Sequence, residues 1–222
     1  MAPQLEFIGK VEYFTGLSRT ELEAVLQHVH EKKAERGDIL VFEGEPSQTL
    51  FFVVAGAVKI YKTSADGKEQ ILQIIRPGES FNDVPLAGGA NIATAEAMGA
   101  VTLNTVKKSE MTAIIGEYPQ VARNTIVILS RQVQRMVALV EDLSFRNVAG
   151  RVAKILLEYA GEGGGEKPRL TQQEMAAMIG TAREMVGRSF RTLEEEGAIR
   201  IERNRIVITD KAALKRIAGI IE

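Results

Sequence analysis

The chain has 222 residues, enough for one large or two ordinary domains, and its 28 Lys and Arg nearly balance its 29 Asp and Glu. It has no cysteine, which excludes disulfides, thiolate nucleophiles and cysteine-ligated iron–sulfur clusters. The opening MAPQLEFIGK lacks the charged-then-apolar pattern of a signal peptide, and the longest apolar run, 50–58, is far too short to span a bilayer, so a cytoplasmic protein with no membrane partner is expected.

Residues 1 to about 30 read as helical, with Ser18 and Glu21 forming a capping box ahead of Leu22, Val25 and Leu26. From Lys32 to Val106 the pattern changes to short strands: ILVF (39–42), LFFVV (50–54), VKIY (58–61), ILQII (71–75) and VTLNTV (101–106). Asp66-Gly67 between two of them is a strong hairpin signal. Many short strands with glycine turns predict a jelly-roll β-barrel. Ser109 is expected to cap a further helix, which Tyr118-Pro119 interrupts.

A long helix is then predicted from Pro119 to Leu143. Ile126, Val133 and Val140 recur every seven residues, as do Leu129, Met136 and Leu143. β-branched residues at one seam position and Leu-like residues at the other favour a parallel two-stranded coil, so these six are expected to form a homodimer interface. Val127, Val137 and Leu139 give the helix a second apolar side, expected to pack on the chain's own barrel. Residues 144–147 read as a hinge, 148–159 as a helix, and GEGGGEKP (161–168) as a flexible loop.

Thr171 to Gly197 reads as two short helices joined by a tight turn. Thr171 and Glu174 form a capping box, and Gly180 permits the turn. Thr181 with Glu184 repeats the capping pattern at the start of the second helix. Met185, Val186, Phe190 and Leu193 give that helix a buried side, and Gly197 ends it. Arg183, Glu184 and Arg188 remain in its first two turns with nothing apolar around them. This is the layout of a helix-turn-helix, whose second helix enters the major groove of double-stranded DNA. Arg pairs with guanine edges and Glu accepts from the cytosine amino group. After it, 198–201 and 207–209 flank ERNR and predict a two-stranded wing, with Asn204 supplying the tight turn. Asp210 caps a last helix. The candidate DNA contacts are Thr171, Gln172, Thr181, Arg183, Glu184, Arg188, Arg191 and, in the wing, Arg203. From Asn147 onward there are thirteen basic and eleven acidic residues, so binding charge must come from local placement and from two copies.

The order of these elements resembles the cyclic-AMP receptor / fumarate–nitrate regulator (CRP/FNR) family over nearly the whole chain. The most specific stretches are GDILVFEGEPSQTLFFVVAGAVKIYKTSADGKE (37–69), PGESF (77–81) and TAREMVGR (181–188). The resemblance implies an α+β fold: a sensor jelly-roll domain over 1–118, a dimerisation helix and hinge over 119–146, and a winged helix-turn-helix over 147–222. It implies a transcription regulator that reads a TGTGA-like inverted repeat, with RNA polymerase as a partner and a small-molecule effector.

The family's nucleotide cassette has Gly-Glu-Leu for the ribose and Arg-Ser or Arg-Thr for the cyclic phosphate. Here those positions fall on Asn82-Asp83-Val84 and Asn91-Ile92, with the pocket completed by Phe81, Ala93 and Thr94. No Lys or Arg occurs between Pro77 and Val106, whereas Glu79, Asp83 and Glu96 do. An anion there would meet net negative charge. A non-cyclic-AMP effector, or none, is therefore expected. A cyclic-nucleotide- or haem-responsive regulator of the same family is the alternative.

His28 and His30 are the only histidines, and no cofactor or metal is predicted on them. No nucleophile–base pair points to an enzyme. The GxGGG of 161–165 lacks the strand before it and the GK[ST] after it that a phosphate loop needs. A ligand-binding module without DNA binding is the remaining alternative, against which the TAREMVGR helix argues.

Overall fold

The computed structural model describes residues 2–83, 89–159, 170–202 and 205–220. By its internal contacts the chain divides into two compact units, Met1–Lys62 with Leu72–Arg135 and Thr63–Ile71 with Met136–Glu222.

The first unit opens with α1 (Ala2–Lys10), a 3-10 turn (Glu12–Phe14) and α2 (Arg19–Leu26). The Ser18 capping box forms: Glu21 N–H donates to Ser18 Oγ at 3.4 Å, and Ser18 N–H donates to Glu21 Oε2 at 2.6 Å. Among the described residues eight strands follow: β1 (His30–Ala34), β2 (Ile39–Val41), β3 (Thr49–Ala55), β4 (Val58–Thr63), β5 (Glu69–Ile75), β6 (Ser80–Phe81), β7 (Thr94–Ala97) and β8 (Val101–Lys107). Then come α3 (Lys108–Glu117) and the long α4 (Pro119–Phe145), which from Met136 onward belongs to the second unit, as does the start of β5 up to Ile71.

The strands do not close into a barrel. They form two separate four-stranded sheets, in the orders β1-β8-β3-β6 and β2-β7-β4-β5. Short strands with glycine turns suit a double sheet as well as a closed one, and only pairing separates the two. The edge strand β1 (HEKKA) has four exposed residues, among them Lys32 and Lys33, a composition that lets an edge remain unpaired. The inner faces of the two sheets share one core, which includes Phe51, Val53 and Leu103 from the first and Val58, Ile75 and Ala95 from the second.

Strand β3 organises both layers because its side chains alternate. Phe51 and Val53 point to the opposite sheet, and Phe51 stacks on Phe81 with ring centroids 4.7 Å apart. Leu50 and Phe52 point the other way, into a core built from the flanking helices. There Phe52 meets Tyr13 edge-on at 5.7 Å and Phe14 at 5.6 Å. Val121, Thr125 and Ile128 are the buried residues of α4. Val127 and Val137, expected to pack on the sheets, are instead exposed, and Leu139 is partly buried. The sheet side of α4 follows the 121/125/128 spacing of one helix face, and Val127 and Val137 lie off it.

Ser109 does not cap α3. The N-cap is Lys107, two residues earlier, and Glu110 Oε2 accepts from Lys107 N–H at 3.3 Å.

In the second unit α5 (Val148–Tyr159) is followed by α6 (Gln172–Ile179), α7 (Arg183–Glu195), the hairpin β9 (Ile199–Glu202) and β10 (Arg205–Ile208), and α8 (Lys211–Ile217). One apolar core joins Val152, Ala153, Ile155 and Leu156 of α5 to Met175, Ile179, Val186, Phe190, Leu193 and Leu214. The loop 161–168 and Asn204 lie outside the described residues.

Replacing Phe52 with Ala should remove about 3–5 kcal/mol of stability, the usual cost of a large aromatic lost from a closed core. Urea unfolding followed by circular dichroism measures it, since the chain has no Trp to report by fluorescence. A cost under about 1 kcal/mol would mean that the Tyr13–Phe14–Phe52 contacts do not hold helices to sheet.

Candidate functional site

The geometry of the helix-turn-helix starts from its caps. Thr171 Oγ1 accepts from Glu174 N–H at 3.1 Å and Glu174 Oε2 accepts from Thr171 N–H at 2.6 Å, which fixes where α6 begins. Gly180 ends α6 in the left-handed region at φ 65°, where a side chain would be strained. The turn is one residue longer than the second capping pattern allows. Thr181 N–H donates to Ala176 O at 3.0 Å and so still belongs to the close of α6. The N-cap of α7 is Ala182, with no side-chain cap, and the expected Thr181–Glu184 box does not form.

Val186, Ser189, Phe190 and Leu193 turn inward, which leaves Arg183, Glu184, Arg188 and Arg191 exposed along the outer side of α7. None of these three arginines is ion-paired with a described residue, and Arg188 Nη1 only approaches Met185 Sδ at 3.8 Å. Thr171 and Gln172 are also exposed, and Thr181 partly so. Arg203 lies outside the described residues. Glu194, which sequence reasoning missed, accepts from Ile201 N–H at 3.1 Å and ties α7 to the wing. Thr209 Oγ1 donates to Gly197 O at 2.6 Å on the other side of the same junction. In sequence both are ordinary polar residues, and only the hairpin's return makes them braces.

The sensor-side candidates divide differently. Phe81 is buried in the inter-sheet core. Asn82 has φ 64°, rare for a residue with a Cβ, and donates through Nδ2 to Thr49 O at 2.9 Å. Asn91 is buried and spends its Nδ2 on Phe42 O at 2.9 Å, tying two loops together. Ile92 is exposed, Ala93 is buried, and Thr94 Oγ1 accepts from Glu43 N–H at 3.3 Å. Val84 lies outside the described residues. Glu96 pairs with Lys59 of β4 at 3.0 Å.

Asp83 is the distinctive group. It is 2% exposed, and its Oδ2 accepts from Gln132 Nε2 of α4 at 2.5 Å and from Ser80 Oγ at 3.2 Å. Tyr13 lies close enough to help hold the carboxylate's charge, yet Asp83 Oδ1 and Tyr13 Oη are each left without a well-formed hydrogen bond. Burial pushes the Asp83 carboxyl up to about 6, against the pull of Gln132, Ser80, Tyr13 and the Lys108 ammonium. Burial and the neighbouring carboxylate raise the Tyr13 phenol above its ordinary value. Lys108 is itself buried beside Ser47 Oγ; burial brings its ammonium down to about 8, and the charge of Asp83 opposes that shift. A cavity of about 250 Å3 adjoins this cluster, with Tyr13, Gln73, Ser80, Arg131, Gln132 and Arg135 in its wall.

His28 Nδ1 stands 3.5 Å from Glu110 Oε1, and His30 is exposed at the start of β1. Among the described residues no three of His, Cys, Asp and Glu group as metal ligands would. No helix of the described residues is long and apolar enough to cross a membrane.

Asp83 yields a pH prediction. Its carboxyl is raised in the folded state, so its contribution to stability is fully present below the ordinary carboxylate range and is lost as pH rises through about 6. The wild type should therefore gain stability relative to Asp83→Asn as pH falls from about 7 to about 5, because only the wild type sheds a buried charge. Thermal melts of both proteins across that interval check it, and parallel curves would remove the assignment.

Comparison with known proteins agrees with this arrangement. A cyclic nucleotide-binding domain model matches residues 31–118, and a Crp-like helix-turn-helix domain model matches residues 150–217. The chain is 30% identical over 206 residues to the cyclic AMP receptor protein of Thermus thermophilus, covering 92% of this chain and 95% of that one. It is 28% identical over 221 residues to a CRP-like cAMP-activated global transcriptional regulator of Mycobacterium tuberculosis, covering 96% and 99%. A solved CRP-family transcriptional regulator from Thermus thermophilus superposes with a TM-score of 0.70 at 27% identity, covering 85% of this chain and 96% of that one. With the exposed arginine face of α7 set on a Crp-like helix-turn-helix and a cyclic-nucleotide-binding-like unit before it, the chain belongs to the CRP/FNR family of transcription regulators and is a DNA-binding regulator of that type.

Proposed function

We propose that the protein acts as a homodimer that reads an inverted repeat of TGTGA-like half-sites through Arg183, Glu184 and Arg188, and that its sensor unit answers to an effector other than cyclic AMP, or to none. The observation that carries the DNA half is the exposed polar face of α7, whose arginines form no ion pair among the described residues. Its chemistry suits guanine and cytosine edges. The dimer half is supported by α4, where Ile126, Val133 and Val140 are each more than 60% exposed although apolar, with Met136 and Leu143 near 40%. Leu129 of the same seam is partly buried. Exposed β-branched residues in such a row fit a second copy of the helix. Within this reading, RNA polymerase is the partner that converts operator binding into regulation.

The effector half is supported by charge. The position of the family's phosphate arginine holds Asn91, whose amide is already committed to Phe42 O. An amide also offers only neutral donors, whereas an arginine–phosphate pair is charge-assisted. Losing one hydrogen bond to a charged group forfeits about 1.5–3 kcal/mol, or roughly one to two decades of affinity. Asp83 can accept from a ribose hydroxyl, but it would repel a phosphate. A second reading has its own support: two relatives carry cyclic AMP in their names, and Lys108 is a buried cation beside Asp83.

Replacing Arg183, Glu184 or Arg188 with Ala should each cost about 1–3 kcal/mol at the cognate site and relax base preference at one position. Gel-shift titration on a TGTGA inverted repeat, with half-sites about one helical turn or 34 Å apart, is the test. Equal binding by variants and wild type would displace the recognition helix from α7.

Calorimetric titration with cyclic AMP and cyclic GMP up to low millimolar concentration should show no tight saturation. Saturable binding in the micromolar range, with tighter DNA binding alongside it, would overturn the effector reading and favour the second one.

A further inference from the structure

Between the end of α4 at Phe145 and the start of α5 at Val148 stand only Arg146 and Asn147. A two-residue break leaves a few backbone torsions to set the angle between the helices, and side chains brace it from both sides. Asp142, in the last turn of α4, accepts from Arg146 Nε at 2.7 Å with Oδ1 and from Lys154 Nζ of α5 with Oδ2. The three side chains are 16, 20 and 24% exposed, so these pairs are less screened than surface ones. Arg151 Nη1 donates to Arg146 O at 2.7 Å, and Asn147 Oδ1 accepts from Gly150 N–H at 2.8 Å to cap α5. Of these contacts, the Asp142–Lys154 pair is the one that joins a side chain of α4 directly to a side chain of α5.

The angle matters because α5 is not free to move alone. Its Val152, Ala153, Ile155 and Leu156 share one core with Val186, Phe190 and Leu193 of α7, so α7 turns as α5 turns. The other side of the break is α4, which carries the seam proposed for the dimer.

We propose that Asp142 is a positioning residue for DNA recognition: its bond to Lys154 fixes the α4–α5 elbow and thereby sets the half-site spacing that the dimer accepts. This rests on the inverted-repeat reading above. Moving one half-site by a base pair displaces it by about 3.4 Å and rotates it by about 35° around the duplex. A braced elbow does not follow that shift without breaking the pair, and a loosened one does. The brace therefore acts on spacing more than on base preference.

The test is gel-shift titration on operators whose spacer is one base pair shorter, correct, or one longer, with wild type, Asp142→Asn, Lys154→Gln and Lys154→Arg. Wild type and Lys154→Arg should favour the correct spacer. Asp142→Asn and Lys154→Gln should lose about twofold to fivefold of that preference, the scale expected of a partly exposed ion pair. Thermal melts show that each variant is folded, and Lys154→Gln serves if Asp142→Asn is not. A purely structural role would lower affinity equally at all three spacers, and that outcome overturns the proposal, as does a wild type indifferent to spacing. A wild type that binds none of the three overturns the inverted-repeat reading itself.

Discussion

The long helix α4 carries two incompatible demands, and the arrangement of the chain follows from them. One face must be covered by the protein's own core, and Val121, Thr125 and Ile128 meet that demand. Another face, with Val133, Val137 and Val140, is apolar and uncovered in the single chain. A helix of 27 residues with an uncovered apolar stripe is a surface awaiting a partner, since burying such area is the main favourable term in association. A second copy of the same helix fits by symmetry. The stripe is broader than a strict heptad seam, because Val127 and Val137 also stand outward.

From α4 the constraint passes to the DNA-reading end by way of rigid packing. Helix α5 and α7 share a core, the caps at Thr171 and Gly180 fix the turn between α6 and α7, and Glu194 and Thr209 hold the wing against α7. Among the described residues, these contacts tie α6, α7 and the wing to one core with α5, which follows α4 after a two-residue break. A regulator that must match a fixed DNA geometry is served by such stiffness, since contacts held in place need not be ordered on binding.

The buried carboxylate of Asp83 is the counterpart in the first unit. Enclosing it costs stability at neutral pH, and its partners come from four elements: Tyr13 from the 3-10 turn, Ser80 from β6, Lys108 from α3 and Gln132 from α4. A charged group that joins a loop to the long helix has a ready route for influencing that helix. Any ligand that drew Asp83 away would have to break its bond to Gln132 first. The shift of its carboxyl towards neutrality makes that bond sensitive to acid as well.

Local chemistry decided by itself what the sequence could show. The capping boxes at Ser18 and Thr171, the glycine turn at Gly180 and the buried side of α7 are all contained within a few residues, and they are read correctly from them. Arg183, Glu184 and Arg188 stand exposed on α7, as their lack of apolar neighbours in the sequence suggests, and their contact with DNA is the proposal made above. Where a neighbour decided, the local signal misled. Thr181 has the spacing of a cap, but its N–H had already been taken by the close of α6. The strands carry the turns of a barrel, but hydrogen-bond pairing between distant segments resolved them into two sheets. Asp83 found Gln132 across 49 residues, and Asp142 found Lys154 across a helix break. Such pairs follow from which surfaces fold against each other, and no periodicity along the chain encodes them. The sequence by itself therefore determined the elements and those ends whose caps lie within a few residues. Tertiary structure alone decided the sheet pairing, the burial of Asp83 and the bracing of the elbow, because each depends on a partner that only folding brings within a few ångströms.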